Sequence, residues 1–279
     1  MNPGWRGGDY TAAGDAWSHA AHDVTAHALR LLPGGGAVRP QGGEGGPVRP
    51  PRVLDVGTGS GPAALAAAGA GADVTGLDLE PGLVRVARDR ARTAELTGAA
   101  RFVVGDALAL PFPDASFDAV LSTFGVMFAP DPARAAAELV RVCRPGGVVA
   151  VASWTPDGVM GRIAPTVTHH LPDRPDMPPP PTRWGEPARV HAWFAPLPAT
   201  IRTRVAHVRV TYPSVAHAVA AFENKPGPLR AHRTTLEATD RWNQARTDLT
   251  ALFTTHNIAS DTRLIMDAPY LLATARRAG

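Results

Sequence analysis

Short apolar runs recur between residues 52 and 154, and the segments separating them carry apolar residues at helical spacing. Residues 52–56, 73–77, 101–104, 117–122 and 148–154 read as strands, and their nearly unbroken Val, Leu, Ala and Phe content suits strands covered on both faces. Residues 62–71 read as a helix of small side chains ending at glycine. Residues 81–97 place Leu83, Val84, Ala87, Ala91 and Leu96 on one side and Arg88, Asp89 and Arg92 on the other, with Gly98 as the stop. Asp131 is positioned to cap a third helix, with Pro132 in its first turn and Val142 near its end. This alternation predicts an α/β fold with a parallel sheet and helices on both faces.

Outside that stretch the pattern changes. Residues 17–32 put Trp17, Ala21, Val24, Ala28, Leu31 and Leu32 along one side of an amphipathic helix. Residues 33–51 are Gly- and Pro-rich with little to bury, which predicts a flexible tether. The prolines of 155–200 are expected to exclude regular helix and strand. Residues 202–212 alternate as a strand with a polar edge, 214–224 read as a helix, and 229–257 carry an apolar stripe from Leu236 to Phe253 at helical spacing. Residues 269–277, with Tyr270, Leu271 and Leu272, read as a last strand.

The candidate chemistry begins where the first strand ends. R-V-L-D-V-G-T-G-S-G at 52–61 sets three glycines at alternate positions between a strand and a helix, a loop that brings bare backbone against a ligand. A dinucleotide fingerprint wants its third glycine five residues after the first, to let helix and strand pack closely. Here Gly61 follows Gly57 by four, and Pro62 takes the fifth place. Asp55, two residues before Gly57, suits a cationic ligand better than a pyrophosphate. Asp78 lies 21 residues after Gly57, where a carboxylate accepts hydrogen bonds from ribose hydroxyls; capping the helix that opens at Pro81 is its alternative role.

V-L-D-V-G-T-G-S-G at 53–61, G-L-D-L at 76–79, G-D-A-L-A-L-P-F-P-D-A-S-F-D-A-V at 105–120 and L-V-R-V-C-R-P-G-G at 139–147 occur in the order of a known family. The chain resembles the class I S-adenosylmethionine-dependent methyltransferases, type 11, the group similar to ubiquinone and menaquinone methyltransferases. That resemblance implies a Rossmann-like, seven-stranded, mostly parallel sheet whose last strand is antiparallel and inserted between two others. It also implies a lid helix at 1–32 before the linker at 33–51, a cofactor-binding core at 52–154, a substrate cap inserted at 155–200, and the remainder of the fold at 201–279. The cofactor, S-adenosyl-L-methionine, is expected on Asp55, Gly57, Thr58, Gly59, Gly61, Asp78, Leu79, Asp106, Ala107 and Thr123. Asp106 faces the adenine amino group in that scheme, the Ala107 N–H a ring nitrogen, and Leu79 and Leu108 the two sides of the ring.

The substrate pocket is expected from Phe124, Met127 and Phe128 after the fourth strand, Trp154 at the end of the fifth, and Tyr10 and Trp17 of the lid. The stretch at 123–131 holds no Asn/Asp-Pro-Pro-Tyr motif, which argues against methylation of nucleobases or protein glutamine and for an apolar small molecule. If the acceptor is a phenol or an acidic carbon, a histidine is the natural base, and His169 and His170 are the candidates. No carboxylate cluster follows the fourth strand, so no metal is expected.

Composition narrows this little further. With 28 basic and 25 acidic residues spread along 279, no basic stripe stands out, and nucleic acid is not an expected partner. Lys225 is the only lysine, an Arg-for-Lys bias typical of a GC-rich bacterial genome. Cys143 is the only cysteine, which excludes an internal disulfide. No run long and apolar enough for a membrane span is present, and a soluble cytoplasmic protein is expected. The expected function is methyl transfer to oxygen or carbon of an apolar or aromatic small molecule in bacterial specialised metabolism. The alternatives are a non-methylating enzyme that uses the bound cofactor structurally or electrostatically, a ligand sensor, and an NAD-dependent dehydrogenase. The sequence names neither the acceptor nor the oligomeric state.

Overall fold

The computed structural model describes residues 15–33, 49–172, 179–224 and 228–279. After a 3₁₀ turn at Asp15–Trp17 come α1 (Ser18–Leu31), β1 (Arg52–Val56), α2 (Pro62–Gly69), β2 (Asp73–Asp78), α3 (Pro81–Thr93), β3 (Ala100–Val104), β4 (Phe117–Thr123), α4 (Pro132–Val142) and β5 (Cys143–Trp154). The chain continues through α5 (Val159–Thr168), α6 (Pro187–Phe194), β6 (Ala199–Tyr212), α7 (Val215–Asn224), α8 (Pro228–Ala238), α9 (Trp242–Thr255) and β7 (Leu264–Arg277). The strands form one seven-stranded sheet in the order β3-β2-β1-β4-β5-β7-β6, with β7 antiparallel to both neighbours.

The central strands carry what the apolar runs predicted. Val53, Leu54, Val56, Val120, Leu121 and Val149 are buried, as expected of parallel strands with helices on both faces. The reversal of strand order lies between β1 and β4, so the loops after these two strands border the crevice where such sheets bind ligands.

Several boundaries move for local reasons. α3 stops at Thr93, four residues before the expected end at 97, and Glu95 takes a left-handed φ of 57°. β5 starts at Cys143, just before the R-P-G-G stretch, and runs through it, because Cys143 pairs with Phe117 before an irregularity shifts the register to Ala119↔Val148. The apolar stripe of 229–257 is two helices, broken where Asp240 turns left-handed. The prolines of 155–200 do not exclude helix. Pro187 opens α6, where its missing N–H is no loss, and α5 carries Pro165 in its interior.

α1 lies on the sheet. Its buried side, Ala20, Ala21, Val24, Ala28 and Leu29, packs within the core with Leu32 beyond its end, and His27 Nε2 lies 3.1 Å from Thr274 Oγ1 on β7. The lid reading of 1–32 thus begins from a helix whose apolar face is already buried; its first 14 residues, and most of the linker at 33–51, fall outside the described residues.

The β6–β7 pair determines what stands above the crevice. Trp154, the last residue of β5, pairs with Tyr270, yet β6 and β7 stay paired beyond that level through Val208↔Ala268, Val210↔Met266 and Tyr212↔Leu264. This overhang carries α7, α8 and α9 past the carboxyl edge of the parallel strands, and Val208, Val210, Leu264 and Met266 are buried beneath them. α5 packs against α8 and α9.

At the opposite edge, Asp118 ties together the starts of the strands. Its buried carboxylate accepts from Arg49 (2.8 and 2.9 Å) and from the Arg52 N–H, and Arg144 lies 2.7 Å away. Burial opposes its ionisation, but these hydrogen bonds and arginine charges outweigh burial and hold the carboxyl below its ordinary range. A carboxyl depressed in the fold stabilises above its unfolded pKa and loses that contribution as pH falls through the folded one. Asp118→Asn is therefore expected to lower the unfolding midpoint at pH 7 and to narrow its deficit below about pH 4, as measured by thermal melts at both pH values.

Candidate active site

Gly57, Gly59 and Gly61 all have positive φ, at 66°, 57° and 92°. The alternate-glycine pattern is thus a backbone requirement, since side chains at these angles are strained. A Cβ on Gly57 would lie 2.7 Å from Cα of Gly125, whereas one on Gly59 would meet nothing within 4 Å. Gly57 therefore packs against the loop that follows β4, and Gly59 faces open space. Gly125 is a site residue the sequence reading passed over. Its only sequence signal is a glycine inside an otherwise apolar loop.

Asp55 and Asp78 hold this loop from beneath and beside. Asp55 is 1% exposed and accepts from the Thr58 hydroxyl at 2.6 Å. Burial pushes its carboxyl up to about 6, against hydrogen bonds from Thr58 and the Ala64 N–H, with the charge of Asp78 adding to the rise. Asp78 is half-buried at the end of β2 and accepts from the Gly59 N–H at 2.8 Å and from the Glu80 N–H at 3.0 Å. Burial raises its pKa as well, with those backbone hydrogen bonds opposing the rise. The helix-cap alternative for Asp78 is removed: Glu80 caps α3, accepting from the Gly82 N–H.

The raised Asp55 carboxyl has a testable sign. A folded pKa above the unfolded one favours the protonated fold, so the stability Asp55 contributes is present below about pH 4 and lost as pH rises through about 6. Moving a buried carboxyl from 3.8 to about 6 is worth about 3 kcal/mol. Asp55→Asn is therefore expected to gain stability relative to the unmodified chain as pH rises from 4 to 7, by up to about 3 kcal/mol less any hydrogen bonding lost to Thr58 and Ala64. Urea unfolding at the two pH values measures it, and equal differences at both would reject the assignment.

The adenine side is open. Leu79 is 46% exposed beside Asp78. Leu108 and Ala107 are half-buried, and Asp106 is exposed, accepting from the Leu108 N–H at 2.9 Å. Thr123, at the end of β4, keeps a buried hydroxyl without a partner among the described residues. An exposed leucine beside a carboxylate, an orphaned hydroxyl at a strand end and a glycine facing empty space together fit a nucleoside-bearing cofactor.

The loop after β4 is pinned to β1 by Ser122, whose hydroxyl donates to the Val56 carbonyl at 2.6 Å and accepts from the Val126 N–H at 2.8 Å. Between Thr123 and Gly125, Phe124 takes a φ of 58°, an outlier for so bulky a residue. Its ring stacks on Trp154, with centroids 3.7 Å apart and planes 8° apart, and meets Tyr270 edge-on at 5.7 Å. Trp17 closes edge-on to Trp154 at 5.9 Å. Phe124, Trp154 and Met127 are buried, whereas Phe128 is 44% exposed. Of the expected pocket residues, Trp17, Phe124 and Trp154 form one cluster; Tyr10 lies outside the described residues. Tyr270 joins that cluster, unforeseen, because pairing with β5 sets it opposite Trp154.

His169 and His170 are not brought to this cluster by any described contact. They follow α5, where His170 Nε2 is 2.8 Å from Asp248 on α9, and His169 lines a cavity of about 690 Å³ between α5 and α9. Among the described residues, no group of three or more His, Cys, Asp or Glu is arranged to hold a metal ion.

Residues 54–151 match the family model for the type 11 methyltransferase domain. An uncharacterized protein of Mycobacterium tuberculosis is 42% identical over 178 residues, which is 63% of this chain and 64% of that protein. The demethylmenaquinone methyltransferase of Renibacterium salmoninarum is 42% identical over 104 residues, 37% of this chain and 41% of that enzyme. The chain thus matches less than two thirds of the length of these curated relatives. In fold it is similar to a putative methyltransferase of Bacillus halodurans, with a TM-score of 0.57 at 17% identity, covering 83% of this chain and 94% of that one. With the glycine loop, its paired acids and this sheet order in place, residues 54–151 carry a methyltransferase domain of type 11, similar to those of the class I S-adenosylmethionine-dependent methyltransferases.

Proposed function

We propose that this protein transfers the methyl group of S-adenosylmethionine to an oxygen or carbon of an apolar, aromatic small molecule in bacterial specialised metabolism, acting in the cytoplasm. The observation that carries this reading is the aromatic cluster of Trp17, Phe124, Trp154 and Tyr270, one residue along the chain from the Gly57–Gly125 contact. When bound, the cofactor supplies a methyl group already activated on a sulfonium. The chain then has to align the acceptor and exclude water.

Each part of the site has a role in this reading. Asp78 holds the ribose, Asp106 and the Ala107 N–H hold adenine, and Leu79 and Leu108 cover the ring. Asp55, through Thr58, fixes the loop and adds negative charge near a cationic ligand. Thr123 offers its unused hydroxyl to the cofactor. The helices α7 to α9, carried by the β6–β7 overhang, act with α5 as the cover over the acceptor. His169 and His170, which follow α5, belong to that cover; a proton-accepting role for either requires it to reach the acceptor when the cover closes.

Incubation with methyl-labelled cofactor and a panel of phenols, quinols and polyketide extracts tests the reading. Label is expected in organic-soluble small molecules and absent with Asp78→Ala. Cofactor binding without label in any acceptor would favour the non-methylating alternative, and label in DNA or protein would overturn the choice of acceptor.

A further inference from the structure

Residues 105–116, between β3 and β4, carry Asp106, Ala107 and Leu108 but belong to no helix or strand of the fold. The two ends of this loop are tied by backbone: the Gly105 N–H donates to the Asp78 carbonyl at 2.9 Å, and the Ser116 N–H to the Val142 carbonyl at 2.8 Å. Its middle is tied by side chains of α4. Arg134, Glu138 and Arg141 stand at i, i+4 and i+7, on one face of that helix, and each takes a different part of the loop. Arg134 Nε donates to the Leu108 carbonyl at 2.7 Å, and Glu138 accepts from the Leu110 N–H at 2.7 Å. Arg141 donates to the carbonyls of Leu110 at 3.0 Å and Phe112 at 2.8 Å.

Glu138 and Arg141 are half-buried and support each other, with Arg141 Nε 2.6 Å from Glu138 Oε1. They hold the loop to the domain where Leu110 is buried and Phe112 meets Phe117 edge-on at 5.1 Å. Arg134 has no such structural explanation. It is exposed, and it stands in the first turn of α4, where the helix dipole disfavours a cation. The cap of α4 makes no use of its side chain either, because Asp131 accepts from the Arg134 backbone N–H at 3.0 Å. What the side chain holds is Leu108.

Leu108 is thereby gripped from both sides. Its N–H donates to Asp106 Oδ1 at 2.9 Å, and its carbonyl takes the bond from Arg134. Asp106 Oδ2 is left to face a ligand, with the Ala107 N–H one residue along. A carboxylate oxygen accepts from an amino group and repels a carbonyl, so where it stands decides between purines that carry one or the other.

We propose that Arg134 is a positioning residue for base recognition: by fixing Leu108 it sets the Asp106 carboxylate to accept from the adenine amino group and to exclude a 6-oxopurine. This rests on the reading in which Asp106 and Ala107 hold adenine.

The test is isothermal titration of the full chain with S-adenosylhomocysteine and with its 6-oxo analogue, S-inosylhomocysteine. The unmodified protein is expected to prefer the adenine compound by about tenfold or more, the worth of a hydrogen bond to a charged group. Arg134→Ala is expected to narrow that preference by about fivefold at an unchanged melting temperature, and Arg134→Lys, which can reach the same carbonyl, to restore most of it. A full preference in Arg134→Ala overturns the proposal. So does an equal loss of affinity for both compounds, or a narrowing that comes with a lower melting temperature and is not restored by lysine. No preference in the unmodified protein, or a preference that survives Asp106→Ala, would instead overturn the adenine assignment of Asp106, and the role of Arg134 with it.

Discussion

Asp78→Ala is expected to weaken S-adenosylmethionine binding by roughly 1.5 to 3 kcal/mol, ten- to a hundred-fold, the usual range for hydrogen bonds to a charged group. Two effects combine. The ribose hydroxyls lose their carboxylate, and the Gly59 N–H loses the acceptor that holds it at 2.8 Å, so the loop loses a support on the side facing the ligand. Asp78→Asn keeps one acceptor oxygen and should fall between the two. Because burial raises the pKa of Asp78 in the free protein, removing it relieves a cost to the fold, and the melting temperature of the ligand-free variant should hold or rise. Weaker binding together with an unchanged fold distinguishes a ligand-holding acid from a structural one. Unchanged affinity would reject the ribose assignment.

The second large effect is expected at the glycine contact. Gly57→Ala places a Cβ 2.7 Å from the Gly125 Cα at a φ of 66°, so it meets both backbone strain and a steric clash. Strain of this kind costs roughly 1 to 3 kcal/mol before the clash is counted. Gly125→Ala has an ordinary negative φ of −98° but drives its Cβ into the Gly57 carbonyl. Both variants are expected to melt several degrees lower, at roughly 2–4 °C per kcal/mol for a chain of this size, and to bind cofactor poorly. Gly59→Ala, with open space around its Cβ and a φ of 57°, should lose less stability than Gly57→Ala. Equal melting temperatures for the Gly57 and Gly59 variants would show that the contact with Gly125 matters little.

The residues that were legible in the sequence are those whose constraint is local. Three glycines at alternate positions reported three left-handed backbones, and the spacing to Asp78 placed a carboxylate beside Gly59. Strands such as Leu54–Val56 and Val148–Val151 were visible because burial on both faces leaves only apolar choices.

What the sequence obscured depends on distant partners. In β6, Ile201 and Thr203 are partly covered low on the strand, while Val208 and Val210 are buried higher up. The covered face therefore switches partway along, and simple alternation cannot show how far the strand runs past its neighbours. That overhang, in turn, places α7 to α9 above the crevice. The apolar stripe through Trp242 and Leu249 announced burial but not what it covers. Phe124 looked like one more apolar residue, and nothing local announces its left-handed turn onto Trp154. Tyr270 enters the site only through its register with Trp154.

The central claim is that the loop from Gly57 to Gly61, with Asp55 and Asp78, holds a sulfonium nucleoside. Isothermal titration of the full chain with S-adenosylmethionine and, separately, with NADH tests it most directly. One saturable site for S-adenosylmethionine, and no binding of NADH in the same concentration range, is the predicted result. Tight NADH binding with none for S-adenosylmethionine would contradict it.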